Sequence, residues 1–198
     1  MTDGPRGKLI VLEGTDFAGT TTHARLLVGS LRIRGSDAVV TAEPTQALYG
    51  QLARESIGLR KPFVTQLLFC IDRADHQDFI RTHLERGIHV VCDRYTLSTE
   101  IYGKVSGLSE SERRALHCVN ETFISPDFTV ILTASYETLL QRKRERNGQS
   151  DEFETDTFLK QTHREYCDIP FRPRVWTNDS VECTQAAIME LIVRELDI

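Results

Sequence analysis

Four short apolar runs recur along the chain, three of them ended by a glycine, a proline or an acid and the fourth preceded by Pro126. They read Leu9-Ile10-Val11-Leu12, Ala38-Val39-Val40-Thr41, Ile88-His89-Val90-Val91-Cys92 and Phe128-Thr129-Val130-Ile131-Leu132. Short length, β-branched residues and consecutive apolar positions predict strands buried on both faces. Val175-Trp176-Thr177 predicts a brief fifth strand. Between the strands the period changes. Over 20–35, Ala24, Leu27, Val28 and Leu31 fall at helical spacing, and Gly35 supplies a stop. Helices are predicted likewise over 48–57, 62–85, 109–123, 136–146, 153–166 and 181–196. The longest carries Phe63, Val64, Leu67, Leu68, Ile71, Phe79, Ile80 and Leu84. Ser109-Glu110-Ser111-Glu112 opens the next one as a capping box. Tyr102, Gly103 and Gly107 predict a turn after the third strand.

Strands that alternate with helical crossovers predict a three-layer α/β sandwich: a five-stranded parallel sheet flanked by helices, one domain over 1–198. Ligands in such folds sit beyond the carboxyl ends of the strands. Three polar clusters fall there: Glu13-Gly14, Glu43-Pro44 and Asp93-Arg94.

Composition narrows the class. The 198 residues are 40% hydrophobic and 27% charged, ordinary for a globular protein, and the net charge of -5 argues against non-specific nucleic-acid binding. No run is long and apolar enough to span a bilayer, and the first residues lack the apolar core of a signal peptide. The five cysteines form no C-x-x-C pair, which predicts reduced thiols and a cytoplasmic setting. The six histidines have no zinc-site spacing, and the G-x-S-x-G elbow of hydrolases is absent.

The chemistry gathers at four places. Gly14-Thr15-Asp16-Phe17-Ala18-Gly19-Thr20-Thr21 follows the first strand and opens a helix. The phosphate-binding pattern G-x-x-x-x-G-K-[ST] fits it except that Thr20 stands in the lysine position. Backbone N–H groups of Ala18 to Thr22 would cradle phosphate at the helix start, and Thr21 would meet magnesium. A tight strand-to-helix turn is the plainer alternative. Asp93-Arg94-Tyr95 could hold magnesium and a phosphate, or form an ion pair at a strand end. Phe69 and Arg73, four apart, could stack on a base and bond its edge, or be a core ring with a solvated cation. Arg142-Lys143-Arg144-Glu145-Arg146, with a polar stretch after it, could be a lid that closes on a polyphosphate, or a solvated helix end.

Taken together, these pieces resemble the thymidylate kinase family of P-loop nucleoside monophosphate kinases. The family pattern has an E-G-x-[DE]-x-x-G-K-[ST]-T loop, an E-P after the second strand, L-L-F-x-x-x-R on the third helix and D-R-[YH]-x-x-S-x-x-x-Y after the third strand. Here these are 13–22, Glu43-Pro44, 67–73 and 93–102. The resemblance implies a P-loop kinase that moves the γ-phosphate of ATP to dTMP with Mg2+, as a cytoplasmic homodimer with no nucleic-acid or membrane partner. It implies that Phe69, Arg73, Asp16, Arg94, Ser98 and Tyr102 hold dTMP. Gly14, Ala18, Gly19, Thr20, Thr21, Thr22 and Arg142 would hold ATP, and Thr21 and Asp93 the metal. Asp93, Arg94, Arg144 and Arg146 would be catalytic, the last two in a lid around 142–155. The chain departs from the family at Thr20, at Phe17 and Glu152, where members carry a basic residue in one place or the other, at Ala42 and Gln46, and at Gly103, where a glutamine is common. The loss of several cations leaves a catalytically impaired nucleotide-binding or partner-binding protein as the alternative to the active kinase; a deoxynucleoside kinase is a further reading, against which Arg94 and the order of the motifs argue.

Overall fold

The computed structural model describes residues 6–146, 153, 155–170 and 172–198. Five strands, β1 (Leu9–Gly14), β2 (Ala38–Ala42), β3 (His89–Asp93), β4 (Phe128–Thr133) and β5 (Arg174–Trp176), form one sheet in the order β2-β3-β1-β4-β5. Every pairing is parallel. The helices are α1 (Thr20–Ile33), α2 (Leu48–Ser56), α3 (Pro62–Glu85), α4 (Thr96–Val105), α5 (Glu110–Asn120), α6 (Tyr136–Glu145), α7 (Asp156–Asp168) and α8 (Val181–Leu196).

The pleat sends successive side chains to opposite faces. From β1, Ile10 and Leu12 meet Ala24, Leu27 and Leu31 of α1 and Ile188 and Ile192 of α8, while Leu9 and Val11 meet Ile80 and Leu84 of α3. Helices on both faces are why the strand sequences are apolar throughout instead of alternating. Register brings the strand ends level: Asp93 pairs with Leu12 and with Ala42, and Gly14 with Leu132. The polar clusters therefore share one edge, as predicted.

Two expectations need correction. The segment read as a turn contains α4. Its start has no cap of its own; instead the carboxylate of Glu13, on β1, accepts from Tyr95 N (2.9 Å) and Ser98 N (3.2 Å). A cap supplied from another element leaves no local signature. Helix α7 begins at Asp156, after Thr155 caps it through Phe158 N, and not at Phe153.

Helix α3 follows its apolar pattern only in part: Ile80 and Leu84 are buried as the pattern predicts, but much of the remaining buried face is polar. Its buried side includes Gln66, Asp72, Arg73, His76 and Gln77, whereas Val64, Ile71 and Phe79 are exposed.

Candidate active site

The loop after β1 is shaped by close approach. A Cβ on Gly14 would lie 2.4 Å from the Leu132 carbonyl oxygen, so no larger residue fits between β1 and β4. Gly19 caps α1 with φ of 92°, a left-handed conformation natural to glycine. No side chain caps α1 and no acid lies in its first turn, whereas Ser109, Ser135, Thr155 and Ser180 cap α5, α6, α7 and α8. The backbone bond that enters α1 is His23 N to Gly19 O (3.0 Å). The N–H groups of Thr20, Thr21 and Thr22 therefore meet no acceptor among the described residues. Open donors at the positive end of a helix form an anion site. Thr20 is buried, and its methyl lies 3.3 Å from where a Gly14 Cβ would be.

Thr21 donates its hydroxyl hydrogen to Asp93 Oδ2. The other oxygen, Asp93 Oδ1, is buried and meets no donor among the described residues. A carboxylate oxygen in that condition, beside a helix-start hydroxyl, is a donor set suited to a hard cation.

Arg94 follows directly and has φ of 67°, uncommon for a residue with a side chain. Such strain persists only where the surroundings fix it. Here Nη1 donates to Gly14 O (2.7 Å) and to Ser98 Oγ (3.4 Å), and Nη2 donates to Asp16 Oδ1 (2.7 Å). Asp16 Oδ2 accepts from Tyr102 Oη (2.8 Å), whose ring lies against the guanidinium at 5.3 Å. Among the described residues, Arg94 Nε–H and one Nη2–H stay uncommitted, the fork that takes a phosphate. Beneath this cluster sits Glu13, wholly buried. Besides the two α4 amides it accepts from Ser98 Oγ (2.6 Å) and Tyr166 Oη (3.0 Å). Burial raises its pKa above the ordinary 4.5, opposed by the Ser98 bond and the charge of Arg94.

Helix α3 forms the far wall. Arg73 is buried, with Nε on Glu43 Oε2 (2.6 Å), Nη1 on Thr99 Oγ1 (3.1 Å) and Asn120 Oδ1 (2.8 Å), and Nη2 on Tyr95 O (2.9 Å). One Nη2 hydrogen is left among the described residues. Glu43 Oε1 meets His76 Nδ1 (3.0 Å). Glu43, His76 and Cys92 come together as a possible metal set, but the Arg73 cation already answers the carboxylate charge. Phe69 is half-buried. Phe69, Arg73, Asp16, Thr21, Asp93, Arg94, Ser98 and Tyr102 all line one cleft of ≈ 520 Å³.

The basic end of α6 divides. Arg142 reaches the loop, donating to Phe17 O (3.1 Å) and to Thr177 Oγ1 (2.9 Å). Arg146 lies over the Phe17 ring at 5.6 Å and lines the cleft. Lys143 pairs with Asp156 (2.6 Å). Arg144 lies outside the cleft. Of the predicted lid, 147–152 and 154 lie outside the described residues. Phe153 packs edge-on against Tyr102 at 5.2 Å.

A family model described as thymidylate kinase matches residues 12–188. The chain belongs to the thymidylate kinase family. It is 34% identical over 163 residues to a thymidylate kinase of Brachyspira hyodysenteriae, covering 80% of this chain and 79% of that one. It is 40% identical over 140 residues to one from Thermomicrobium roseum, covering 68% and 67%. A solved thymidylate kinase from Candida albicans has the same fold, with a TM-score of 0.79 at 20% identity over 94% of this chain and 91% of that one. Nothing in these matches favours a catalytically impaired protein. Within this thymidylate kinase family fold, the sheet edge carries groups that the motifs do not announce, Gln66 and the cations Arg25 and Arg54, which line the cleft, while Glu13, which opens the loop motif without a role assigned to it, lies beneath. Arg25 had one available signal, its place one turn after Thr21 on α1.

Proposed function

We propose that the protein transfers the γ-phosphate of ATP to dTMP, giving dTDP. The observation that carries the reading is one cleft lined by the Thr21–Asp93 acid–hydroxyl pair and an aromatic–arginine wall, next to a loop with open N–H groups, in a chain of the thymidylate kinase family. The N–H groups of Thr20 to Thr22, with Gly14, Ala18 and Gly19 shaping the loop, hold the ATP phosphates. Arg142 steadies the loop from the ATP side. Asp93 and Thr21 would hold Mg2+, a fit supported by the bare Asp93 Oδ1. When bound, Mg2+ neutralises charge on the phosphate oxygens. Arg94 grips the acceptor's monophosphate with its open fork, and Asp16 and Tyr102 keep that fork aimed. Phe69 stacks on the base, and the remaining Arg73 N–H meets a base oxygen. Ser98 supports Arg94, and Arg146, with Arg144 in the lid, supplies charge to the transferring group. The exposed Val64, Ile71 and Phe79 support pairing of two copies through α3. Among the described residues no helix is long and apolar enough to cross a membrane, and the cysteines are free thiols, which agrees with a cytoplasmic setting.

The test is dTDP formation from dTMP, ATP and Mg2+, run beside Thr20→Lys. Steady turnover by the natural chain supports the reading. Product only from Thr20→Lys would return the impaired alternative.

A further inference from the structure

Gln66 is 1% exposed, lines the cleft and leaves its Nε2 buried without a partner among the described residues. A buried amide nitrogen without an acceptor costs free energy, and proteins seldom leave one so. Gln66, Phe69 and Arg73 stand at i, i+3 and i+7 on α3, hence on one face. Gly103 of α4 faces the stem of this side chain: a Cβ there would be in ordinary contact with Gln66 Cγ at 3.8 Å.

We infer that Gln66 is a specificity-determining residue that reads the imide edge of the acceptor base. The inference rests on the dTMP kinase reading. A carboxamide offers a donor and an acceptor side by side. The imide edge of a thymine or uracil ring offers the complement, a ring N–H beside a carbonyl oxygen. A carboxamide can rotate to suit cytosine as well, but Arg73 cannot, because a guanidinium only donates. The pair therefore selects an oxo group over an amino group: Arg73 excludes the amine, and Gln66 supplies the affinity. The 5-methyl group of thymine does not touch this edge, so dTMP and dUMP depend on Gln66 alike.

The experiment is calorimetric binding of dTMP, dUMP and ATP to the natural chain and to Gln66→Leu and Gln66→Glu, with melting of each ligand-free protein. Both variants should lose about 10- to 100-fold in affinity for dTMP and dUMP, with ATP affinity unchanged. Ligand-free Gln66→Leu should melt no lower than the natural chain, since an unsatisfied amide is replaced by an apolar group. A purely structural glutamine predicts the reverse, a lower melting point and weakened binding of both nucleotides. If the natural chain fails to bind dTMP, the kinase reading falls and this one with it. If it binds dTMP and Gln66→Leu binds within about threefold, or melts well below it, this inference alone is overturned.

Discussion

Removing the Glu13 carboxylate tests whether one buried group organises the acceptor side of the cleft. In Glu13→Ala, Tyr95 N and Ser98 N lose their acceptor. The Ser98 and Tyr166 hydroxyls, 3.0 Å apart, can satisfy one another in part. Two amides and one hydroxyl hydrogen are then stranded in the interior. At about 1–3 kcal/mol for each unsatisfied donor, less some relief from entering water, the cost is about 3–6 kcal/mol. That is a large share of the ordinary stability of about 5–15 kcal/mol. Glu13→Gln keeps one oxygen for the two amides and presents an NH2 to hydroxyls that can turn to accept, so it should cost about 1 kcal/mol or less near neutral pH. Urea titration followed by far-ultraviolet circular dichroism measures both. The pH dependence supplies a sign. Burial raises the folded pKa of Glu13 above its unfolded value near 4.5, so its protonated form favours the fold. That stability is fully present below the unfolded value and is lost as pH rises through the folded one. Relative to Glu13→Gln, the natural chain should therefore be more stable at about pH 4 than at about pH 8. A Glu13→Ala cost under about 1 kcal/mol, or a difference that grows with rising pH, would refute the role.

Other outcomes follow from the same geometry. Asp93→Asn should lower kcat about 10²- to 10³-fold in the dTDP assay while the melting point changes little, because it weakens a cation ligand with a bare oxygen. Arg73→Leu should cost about 3–5 kcal/mol in urea titration by leaving Glu43 charged and buried, and adding Glu43→Leu should recover part of the loss. Ile71→Glu with Phe79→Glu should shift the protein to monomers in sedimentation if α3 pairs two copies, with no change if the exposed stripe is idle.

The sheet was legible because its signals are local. Each strand is an apolar run, and each crossover carries its own helical period. The phosphate loop, Phe69, Arg73, Asp93 and Arg94 were legible for the same reason: short fixed spacings name them. What the residues alone left open was partnership. By spacing alone Arg73 reads more readily as a solvated cation, and only the fold sets Glu43, Asn120 and the Tyr95 carbonyl around it. Helix α4 was missed because its cap comes from β1, and the polar inner face of α3 was missed because apolar period marks burial only when the core is apolar. Gln66 carries no motif; only its burial, its bare nitrogen and its place on the cleft wall single it out.

The threonine at position 20 is best understood as a question of where charge arrives. In the family pattern a lysine brings it from within the loop. Here the loop is surrounded: Arg94 holds the Gly14 carbonyl from below, Arg142 holds the Phe17 carbonyl, and Arg146 lies over the Phe17 ring. Arg94 turns its open fork to the acceptor side of the cleft, and Arg142 is held on the Phe17 carbonyl and Thr177. Arg146 lines the cleft and lies over the Phe17 ring of the loop, and we propose that it supplies charge to the transferring phosphate. If it does, Arg146 and the lysine that Thr20→Lys restores serve overlapping roles, and their effects cannot be additive. Arg146→Ala should lower kcat about 10²-fold in the natural chain but clearly less in the Thr20→Lys background. The coupling should be about 0.5–3 kcal/mol, read from a double-mutant cycle on kcat. Equal losses in the two backgrounds would mean that Arg146 acts independently of the missing lysine, and the charge would then have to come from Arg25, one turn along α1, or from the backbone N–H groups alone.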